Sequence, residues 1–438
     1  MINTENNGSF CPDQETNMKK LNIFCIYSIL LCATGIAEII HYAGYDNTAT
    51  VYTFILIQAI VMLCAIGGII SIPILFYPML TIALGILNNF CNSFGHLVNN
   101  YELLLQFVIA LIASITSFFY PDKYFYRYKK LFLPLLSLAL LLLCSLGYWR
   151  YESVAAQKLS FNAKPNIWEV PACYDSDSST GHSGTVEEIS YQTLAYATDS
   201  RSLEKKACVY LPYDYDPSVS YNILYLMHGT GDDENYWLKT FSYNKTMIDR
   251  MIENGDIKPL IIVTPSFYVE DDCMDDLDQL TYSFVQELKN DLMPAVESKY
   301  STYAKSCSNE GFIASRDHRA FAGLSRGAVT MYHSVLCGSL DYFSWFGAFS
   351  GSRTDADYFK EHLQSDAFRD YPIHYLYVSS GTFDFALPGQ LHDYQALLQT
   401  DDRLVSGENT CFDVYPMRYH SIGSWHLALY NFLPKIFR

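Results

Sequence analysis

The heptapeptide Phe321-Ala322-Gly323-Leu324-Ser325-Arg326-Gly327 decides how the second half of this 438-residue sequence is interpreted. It places a serine between two glycines, after a short apolar stretch typical of a strand and before a pattern typical of a helix. In that context a Gly-x-Ser-x-Gly motif is typical of a strained turn that exposes a nucleophilic hydroxyl. The heptapeptide therefore predicts an α/β fold with Ser325 as a nucleophile.

Short apolar runs alternate with helical periodicity on both sides of the heptapeptide. This alternation predicts one α/β domain over residues 184–438, with a mostly parallel sheet covered by helices on both faces. The predicted strands lie at 221–227, 260–264, 320–323, 345–349, 375–378 and 411–415. The predicted helices lie near 236–253, 277–299, 327–338, 355–368, 388–399 and 424–433. A polar stretch at 150–183 is expected to be a linker or stalk.

The first 150 residues have a different composition, because charges almost vanish between Leu21 and Trp149. Apolar blocks recur there, and a helix needs about 20 apolar residues to cross a bilayer. We expect an all-α transmembrane region of about five helices at 21–149, after a tail at 1–20. The predicted spans lie near 21–42, 51–71, 79–98, 103–120 and 131–149. The third is the weakest, since three asparagines and a histidine interrupt it.

Basic residues predict the orientation of these spans, because cytoplasmic loops carry an excess of lysine and arginine. Lys19 and Lys20 precede the first span, and a basic loop at 123–130 separates the fourth span from the fifth. Both positions are therefore expected to be cytoplasmic, and the fifth span then exports the rest of the chain. The sequence predicts an integral protein of the cell membrane. Its N-terminal helices are expected to contact the lipid bilayer, and its α/β domain is expected to be extracytoplasmic.

Net charge and cysteine spacing indicate which ligands the protein is not expected to bind. The formal net charge is -17 and no basic stripe is present, so nucleic-acid binding is not expected. No Cys/His spacing typical of zinc occurs, and neither a metal nor another cofactor is expected. The six cysteines after Arg150 fit disulfides or buried free thiols equally well. They are Cys173, Cys208, Cys273, Cys307, Cys337 and Cys411.

A serine hydroxyl needs a histidine base and an acid that orients this histidine. In this fold class the chain order is serine, acid, histidine. Asp384 is the predicted acid, because it follows a strand that begins at Tyr375 and so lies at a carboxyl end of the sheet, where ligand groups gather. Three other aspartates in polar loops or beside helices are expected to be solvated, namely Asp370, Asp401 and Asp402.

His420 is the predicted base, because it occupies a loop before the terminal helix and could turn toward Ser325. His426 is the competing choice, but it falls within the helical pattern and would be fixed on the helix face. The remaining histidines of this region precede the last strand or lie on helices and are expected to be structural. They are His318, His333, His362, His374 and His392.

Two backbone amides are predicted to form the oxyanion hole. One is the amide of Arg326, directly after the nucleophile, and the other is that of Thr230 in the turn 227–231. His228 is expected to brace that turn rather than to transfer protons. The acidic residues 232–234 are expected to be a solvated helix cap rather than a metal site.

Several motifs together resemble one family, the esterase D and feruloyl esterase group of α/β-hydrolases. The resemblance extends from about Gly184 to Phe437. The motifs are Tyr210-Leu211-Pro212, the segment 224–229, the segment 315–323, Ser380-Gly381-Thr382-Phe383-Asp384 and Asn431-Phe432-Leu433-Pro434. The resemblance implies an α/β-hydrolase domain with Ser325, Asp384 and His420 as the triad and with Thr230 and Arg326 at the oxyanion hole.

Two departures from the family pattern are expected to affect the site. Many relatives carry methionine at the position of Arg326, and a glycine pair at the position of Arg418-Tyr419. The first change leaves the backbone amide in place but puts a cation beside the acyl site. The second could shift the loop that carries the base.

The sequence predicts a membrane-anchored serine carboxylic-ester hydrolase that works through an acyl-enzyme. The resemblance implies carbohydrate-linked substrates, such as feruloyl or acetyl esters. Two alternatives remain open at this point. One is a cell-envelope acyltransferase that uses the same triad, and the other is a membrane receptor with an inactive hydrolase-like domain.

Overall fold

A computed structural model of the chain describes residues 158–160, 169–175, 181–269 and 276–438. The chain divides into two units, Met1–Tyr151 and Glu152–Arg438, and every described residue belongs to the second. The predicted transmembrane spans at 21–149 and most of the predicted linker lie outside the described residues. Within the described ranges no helix combines the length and the apolar character that a membrane crossing requires.

Eight strands form one sheet in the order β1-β2-β4-β3-β5-β6-β7-β8. The strands β3 to β8 run parallel to one another, whereas β1 and β2 are antiparallel to each other, and β2 is also antiparallel to its other neighbour, β4. The mostly parallel α/β fold is therefore confirmed. The bounds are β1 Thr185–Leu194, β2 Ser202–Leu211, β3 Asn222–Met227, β4 Leu260–Thr264, β5 Arg319–Leu324, β6 Trp345–Phe349, β7 Tyr375–Phe383 and β8 Thr410–Tyr419.

Helices connect the parallel strands, and several continue into π-helical turns. The α-helices are α1 Ala172–Asp175, α2 Tyr243–Glu253, α3 Leu277–Glu287, α4 Met293–Glu297, α5 Asn309–Ala314, α6 Arg326–Thr330, α7 Ala356–Leu363, α8 Leu387–Thr400 and α9 Ile422–Phe432. The π-helical turns are Tyr236–Thr240, Leu288–Leu292 and Met331–Leu336, and the 3-10 turns are Arg316–His318 and Leu433–Lys435.

Strand β3 shows why the sheet lies at the centre of the domain. All six of its residues are buried, as expected for a parallel strand with helices on both faces. Ile223 and Tyr225 belong to one apolar cluster, whereas Leu224 and Leu226 belong to a second. Because successive side chains of a strand point to opposite faces, the two clusters are the two layers of core.

The parallel strands bring distant parts of the sequence to one edge of the sheet. Thr230 follows β3, Ser325 follows β5, Asp384 follows β7 and His420 follows β8. Since the carboxyl ends of parallel strands meet at the same edge, these four residues are placed close together.

The structure describes five of the six cysteines that follow Arg150. All five described cysteines are free thiols, and three of them are buried. Burial raises the pKa of the Cys411 thiol to about 12, which makes it unreactive. Cys273 lies outside the described residues. Disulfides among the described cysteines are thus excluded, and the free-thiol interpretation applies to them.

Candidate active site

Ser325 occupies a strained turn between β5 and α6. Its φ of 50° and ψ of -114° lie in a region that costs a non-glycine residue on the order of 1–3 kcal/mol. The Ser325 amide donates to the Phe349 carbonyl over 2.8 Å, and the Ser325 carbonyl accepts from the Ala328 amide over 3.0 Å. The neighbouring strand and the helix therefore hold the serine in this conformation.

The two motif glycines are required because backbone segments approach closely on both sides of Ser325. A Cβ atom on Gly323 would lie 2.3 Å from the carbonyl carbon of Gly327. A Cβ atom on Gly327 would lie 2.5 Å from the His228 carbonyl oxygen. Any larger residue at either position would push the start of α6 away from β5 and β3.

Ser325, His420 and Asp384 form a continuous chain of hydrogen bonds. His420 Nε2 lies 3.0 Å from Ser325 Oγ, and His420 Nδ1 lies 2.9 Å from Asp384 Oδ1. When Nδ1–H donates a hydrogen bond to the carboxylate, Nε2 is unprotonated and can accept the serine proton. The structure therefore brings together the three residues predicted for the triad, in the geometry that a general base requires.

The surroundings of His420 fix the ring. Its side chain is 12% exposed and that of Asp384 is fully buried. The ring lies between Phe385, at 4.2 Å between centroids, and Trp425, at 5.0 Å in an edge-to-face contact. Asp384 Oδ1 also accepts from the Ala386 amide over 2.9 Å, which orients the carboxylate toward the imidazole.

The turn after β3 passes directly beside the nucleophile. A Cβ atom on Gly229 would lie 3.3 Å from Ser325 Cβ, and Thr230 lines the same cleft as Ser325 and Arg326. Within the described part of the chain, the amides of Thr230 and Arg326 donate no hydrogen bond, whereas the next amide, of Gly231, donates to Tyr268. Thr230 and Arg326 therefore both lie at the cleft, and the role of their amides as oxyanion donors stays a prediction.

His228 holds this turn in place. Its Nδ1 lies 2.7 Å from the Gly229 carbonyl and its Nε2 lies 2.9 Å from Ser266 Oγ. Burial lowers the pKa of His228 to about 4, so the ring is neutral at physiological pH. Both ring nitrogens are occupied, which leaves His228 no free atom for proton transfer.

The other predicted alternatives lie apart from the hydrogen-bonded chain. His426 is buried in α9 and its Nδ1 lies 2.6 Å from Asn244 Oδ1. Asp401 is buried, not solvated as expected, and it binds Arg403. In the acidic turn, Asp233 accepts from the Asn235 amide over 2.9 Å, but no described side chain caps the helical turn that follows, and Asp232 is partly buried, so the expectation of a solvated helix cap is wrong. Within the described residues, no group of histidine, cysteine and acidic side chains is arranged to hold a metal ion.

A cleft of about 410 Å³ opens at Ser325. Leu277, Val329 and Phe385 supply apolar wall, and two cations, Arg326 and Arg353, also line it. A larger cavity of about 1220 Å³ lies beside Asp232 and Lys205, but none of the three hydrogen-bonded residues lines it. The smaller cleft is the candidate active site, because it contains the nucleophile.

An ion cluster at this cleft was not predicted from the sequence. Asp278 accepts a hydrogen bond from Arg326, and its second oxygen lies 3.1 Å from Arg353 Nη2. Burial works to raise the pKa of Asp278, but the Arg326 hydrogen bond and the two positive charges lower it on balance. The departure from the family at Arg326 was the one sequence signal that pointed here. No sequence signal pointed to Asp278 or Arg353.

Comparisons with known proteins agree with this architecture. A family model described as putative esterase matches residues 200–384. The matched range contains Thr230, Ser325, Arg326 and Asp384, and it ends before His420. Among solved structures, a serine-to-alanine mutant of the feruloyl esterase module from Clostridium thermocellum, complexed with sinapinate, is 30% identical with a TM-score of 0.54. The match covers 63% of this chain and 94% of that chain.

Two curated relatives match this chain over short segments of their own length. Endo-1,4-beta-xylanase Y of Acetivibrio thermocellus is 44% identical over 147 residues, which are 34% of this chain and 13% of the relative. An endo-1,4-beta-xylanase/feruloyl esterase of Xylanibacter ruminicola is 28% identical over 166 residues, which are 36% of this chain and 21% of the relative. This chain thus spans only a minor part of the curated relatives that it matches. The predicted resemblance is confirmed for the C-terminal domain.

Proposed function

Because the C-terminal domain of this chain is a serine carboxylic-ester hydrolase of the putative esterase family, we propose that the protein cleaves esters through an acyl-enzyme. Ser325 is the nucleophile, His420 the base and Asp384 the acid that orients the base. The observation that carries this proposal is the pair of hydrogen bonds from His420 to Ser325 and to Asp384.

In the first half-reaction, Ser325 Oγ attacks the ester carbonyl carbon and its proton passes to His420 Nε2. The carbonyl oxygen becomes an oxyanion. When this intermediate collapses, the bond to the alcohol oxygen breaks and His420 returns the proton to the leaving alcohol. An ester between the acyl group and Ser325 remains.

In the second half-reaction, His420 takes a proton from water, and the resulting hydroxide attacks the acyl carbon. The bond to Ser325 Oγ breaks, and His420 returns the proton to the serine. Asp384 keeps the imidazole in the tautomer that both steps need and stabilises the imidazolium that forms in each.

The oxyanion is stabilised by the amides of Thr230 and Arg326. Backbone amides in a fixed geometry stabilise charge that develops in the transition state, and the loss of one donor costs about 10²–10³ in rate in other enzymes. The close approach of the Gly229 turn to Ser325 and the rigid bracing by His228 support this role.

The substrates are feruloyl or acetyl esters of carbohydrate. This part of the proposal is supported by the names of the relatives, which are xylanases and feruloyl esterases, and by the sinapinate bound to a related module. The apolar wall of Leu277, Val329 and Phe385 fits the carbon skeleton of such an acyl group.

The N-terminal region anchors the protein in the cell membrane. The support comes from the sequence alone, namely the apolar blocks between Leu21 and Trp149 and the basic residues that flank them. The distribution of these basic residues predicts that the esterase domain lies on the extracytoplasmic side. Membrane fractionation with alkaline extraction, followed by protease digestion of intact cells, tests both points. Release of the full-length protein by alkali would contradict the anchor.

The experiment that tests the proposed activity uses the full-length protein and product analysis. Methyl ferulate, acetylated xylan and 4-nitrophenyl acetate are each incubated with wild type and with Ser325→Ala, with and without an added acceptor sugar. We expect free acid as the product, formed by wild type only. Transfer of the acyl group to the added sugar would instead identify an acyltransferase, and inactive wild type would contradict both activities.

A further inference from the structure

Two guanidinium groups share one carboxylate at the rim of the Ser325 cleft. Arg326 belongs to α6, Arg353 to the loop after β6, and Asp278 to the first turn of α3. The Arg326 side chain is 13% exposed and that of Arg353 is 56% exposed. Arg326 is therefore largely committed to Asp278, whereas Arg353 presents more than half of its surface to solvent at the cleft.

The loop that carries Arg353 is strained and firmly held. Arg353 has a φ of 132°, a value that non-glycine residues rarely adopt. Its amide and that of Thr354 donate to Asp393 Oδ2 over 3.3 and 3.2 Å, and its carbonyl lies 3.0 Å from His333 Nε2. Strain of this kind persists where the surrounding structure imposes it, and it clusters at functional sites. The loop thus fixes the backbone from which Arg353 projects.

Arg353 has more N–H donors than Asp278 can occupy. Asp278 compensates one of the two guanidinium charges. Burial lowers the pKa of His333, so this ring adds no charge at neutral pH. Asp393 adds a second negative charge, but its side chain is buried and its carboxylate is engaged by the loop amides and by His392, at 3.2 Å. A guanidinium has five N–H donors, and one carboxylate cannot occupy the donors of two such groups.

We propose that Arg353, supported by Arg326, binds a carboxylate of the substrate, so that this esterase prefers esters that carry a negative charge. The inference rests on the proposed esterase function, because the carboxylate belongs to the same ester that Ser325 attacks. Arginine binds carboxylates through parallel N–H donors, which fixes position as well as charge. The carboxylate belongs either to the acyl group, as in a half-ester of a dicarboxylic acid, or to the alcohol, as in an ester of a uronic acid.

The test compares the full-length wild type with Arg353→Gln on matched pairs of esters. Mono-4-nitrophenyl succinate against 4-nitrophenyl butyrate tests the acyl side. Acetylated methyl glucuronoside against acetylated methyl glucoside tests the alcohol side. We expect wild type to favour the anionic member of one pair, and Arg353→Gln to lower that ratio of kcat/KM about tenfold, as for the loss of one charge-assisted hydrogen bond. Arg353→Lys should restore part of the preference.

A matched control is Arg369→Gln, which changes an exposed arginine that is paired with the exposed Asp366. It should leave both ratios unchanged. In wild type the preference should fall as salt is added, because the guanidinium of Arg353 is exposed and its charge is screened. Equal ratios in wild type and Arg353→Gln for both pairs, with normal turnover of the neutral esters, would overturn the inference and leave the esterase function intact.

A second measurement does not depend on turnover. Binding of monomethyl succinate and of methyl glucuronoside is measured by calorimetry on Ser325→Ala and on Ser325→Ala/Arg353→Gln. We expect weaker binding of one of them, by about tenfold, to the double variant. Unchanged binding of both ligands would overturn the inference even if no ester were hydrolysed, whereas wild type without activity on neutral esters would count against the proposed function alone.

Discussion

His420 Nε2 lies 3.0 Å from Ser325 Oγ, although 95 positions separate the two residues in the chain. The contact exists because β5 and β8 end at the same edge of the sheet, with β6 and β7 between them. Asp384, which follows β7, completes the arrangement from the far side of the imidazole.

The two histidines near the C-terminus should respond differently to substitution. His420→Ala removes the proposed base, so we expect hydrolysis of 4-nitrophenyl acetate to fall by on the order of 10³-fold or more, with little change in the free energy of unfolding. His426→Ala leaves buried Asn244 without this partner, so we expect a stability loss of about 1–3 kcal/mol and a largely retained kcat. Initial rates and urea unfolding check both. The reverse pattern would identify His426 as the base.

Asp384→Asn keeps the size of the side chain but removes its charge. The amide can no longer favour the Nδ1-H tautomer of His420 or stabilise the imidazolium, and we expect kcat to fall by about 10²–10⁴-fold. Asp402→Asn changes an exposed aspartate of similar chain position and is the matched control. Comparable rates for Asp384→Asn and the control would remove Asp384 from the mechanism.

Breaking the buried ion pair Arg319–Glu297 should cost more stability than breaking an exposed ion pair. Both side chains are at most 1% exposed, and Arg319 Nε lies 2.8 Å from Glu297 Oε1. Glu297→Ala leaves the guanidinium without its counter-ion, and such losses cost about 3–5 kcal/mol. The exposed pair Arg369–Asp366 provides the comparison, since Asp366→Ala should cost less than about 1 kcal/mol. Urea midpoints measure both, and similar midpoints would contradict the prediction.

Asp232, next to the predicted oxyanion turn, should make stability depend on pH. Burial raises its pKa to about 6, above the usual value near 4. The carboxyl group of Asp232 therefore binds its proton more tightly in the folded state than in the unfolded state. The resulting stabilisation is complete below about pH 4 and is lost as the pH rises through about 6.

Asp232→Asn keeps the side chain neutral at every pH. The free energy of unfolding of Asp232→Asn, relative to that of wild type, should therefore increase as the pH rises from about 4.5 to about 7. Paired urea titrations across this range measure the difference. A difference that stays constant with pH would show that folding does not shift the titration of Asp232.

The parallel part of the fold could be predicted because its strands are continuous apolar runs. All six strands expected from 221–227 to 411–415 are present, as β3 to β8. The antiparallel pair β1 and β2 was missed. In β1, buried and exposed residues alternate over its second half, so it lacks the continuous apolar run by which the other strands were found.

The helices were predicted in place, but their interruptions were not. The expected helix at 277–299 is two α-helices joined by the π-helical turn Leu288–Leu292, and the short helix Asn309–Ala314 was missed. The π-helical turn has no periodic signal that distinguishes it from a continuous helix. The short helix has too few residues for its pattern to differ from that of a loop.

The hydrogen-bonded residues of the site could be placed from the sequence, because each directly follows a recognisable strand. The cluster of Asp278 with Arg326 and Arg353 could not, since it joins α3, α6 and the loop after β6 by side-chain contacts alone. Chain order carries no information about such contacts. The predicted transmembrane spans and domain boundaries stay predictions.

The rate of 4-nitrophenyl acetate hydrolysis by Ser325→Ala, relative to wild type at equal protein concentration, tests the central claim most directly. The substitution removes the nucleophilic oxygen and nothing else from the cleft, so the account predicts a fall of on the order of 10³-fold or more in a protein with unchanged urea unfolding. A Ser325→Ala protein that is folded and hydrolyses the ester at a rate close to that of wild type would contradict it.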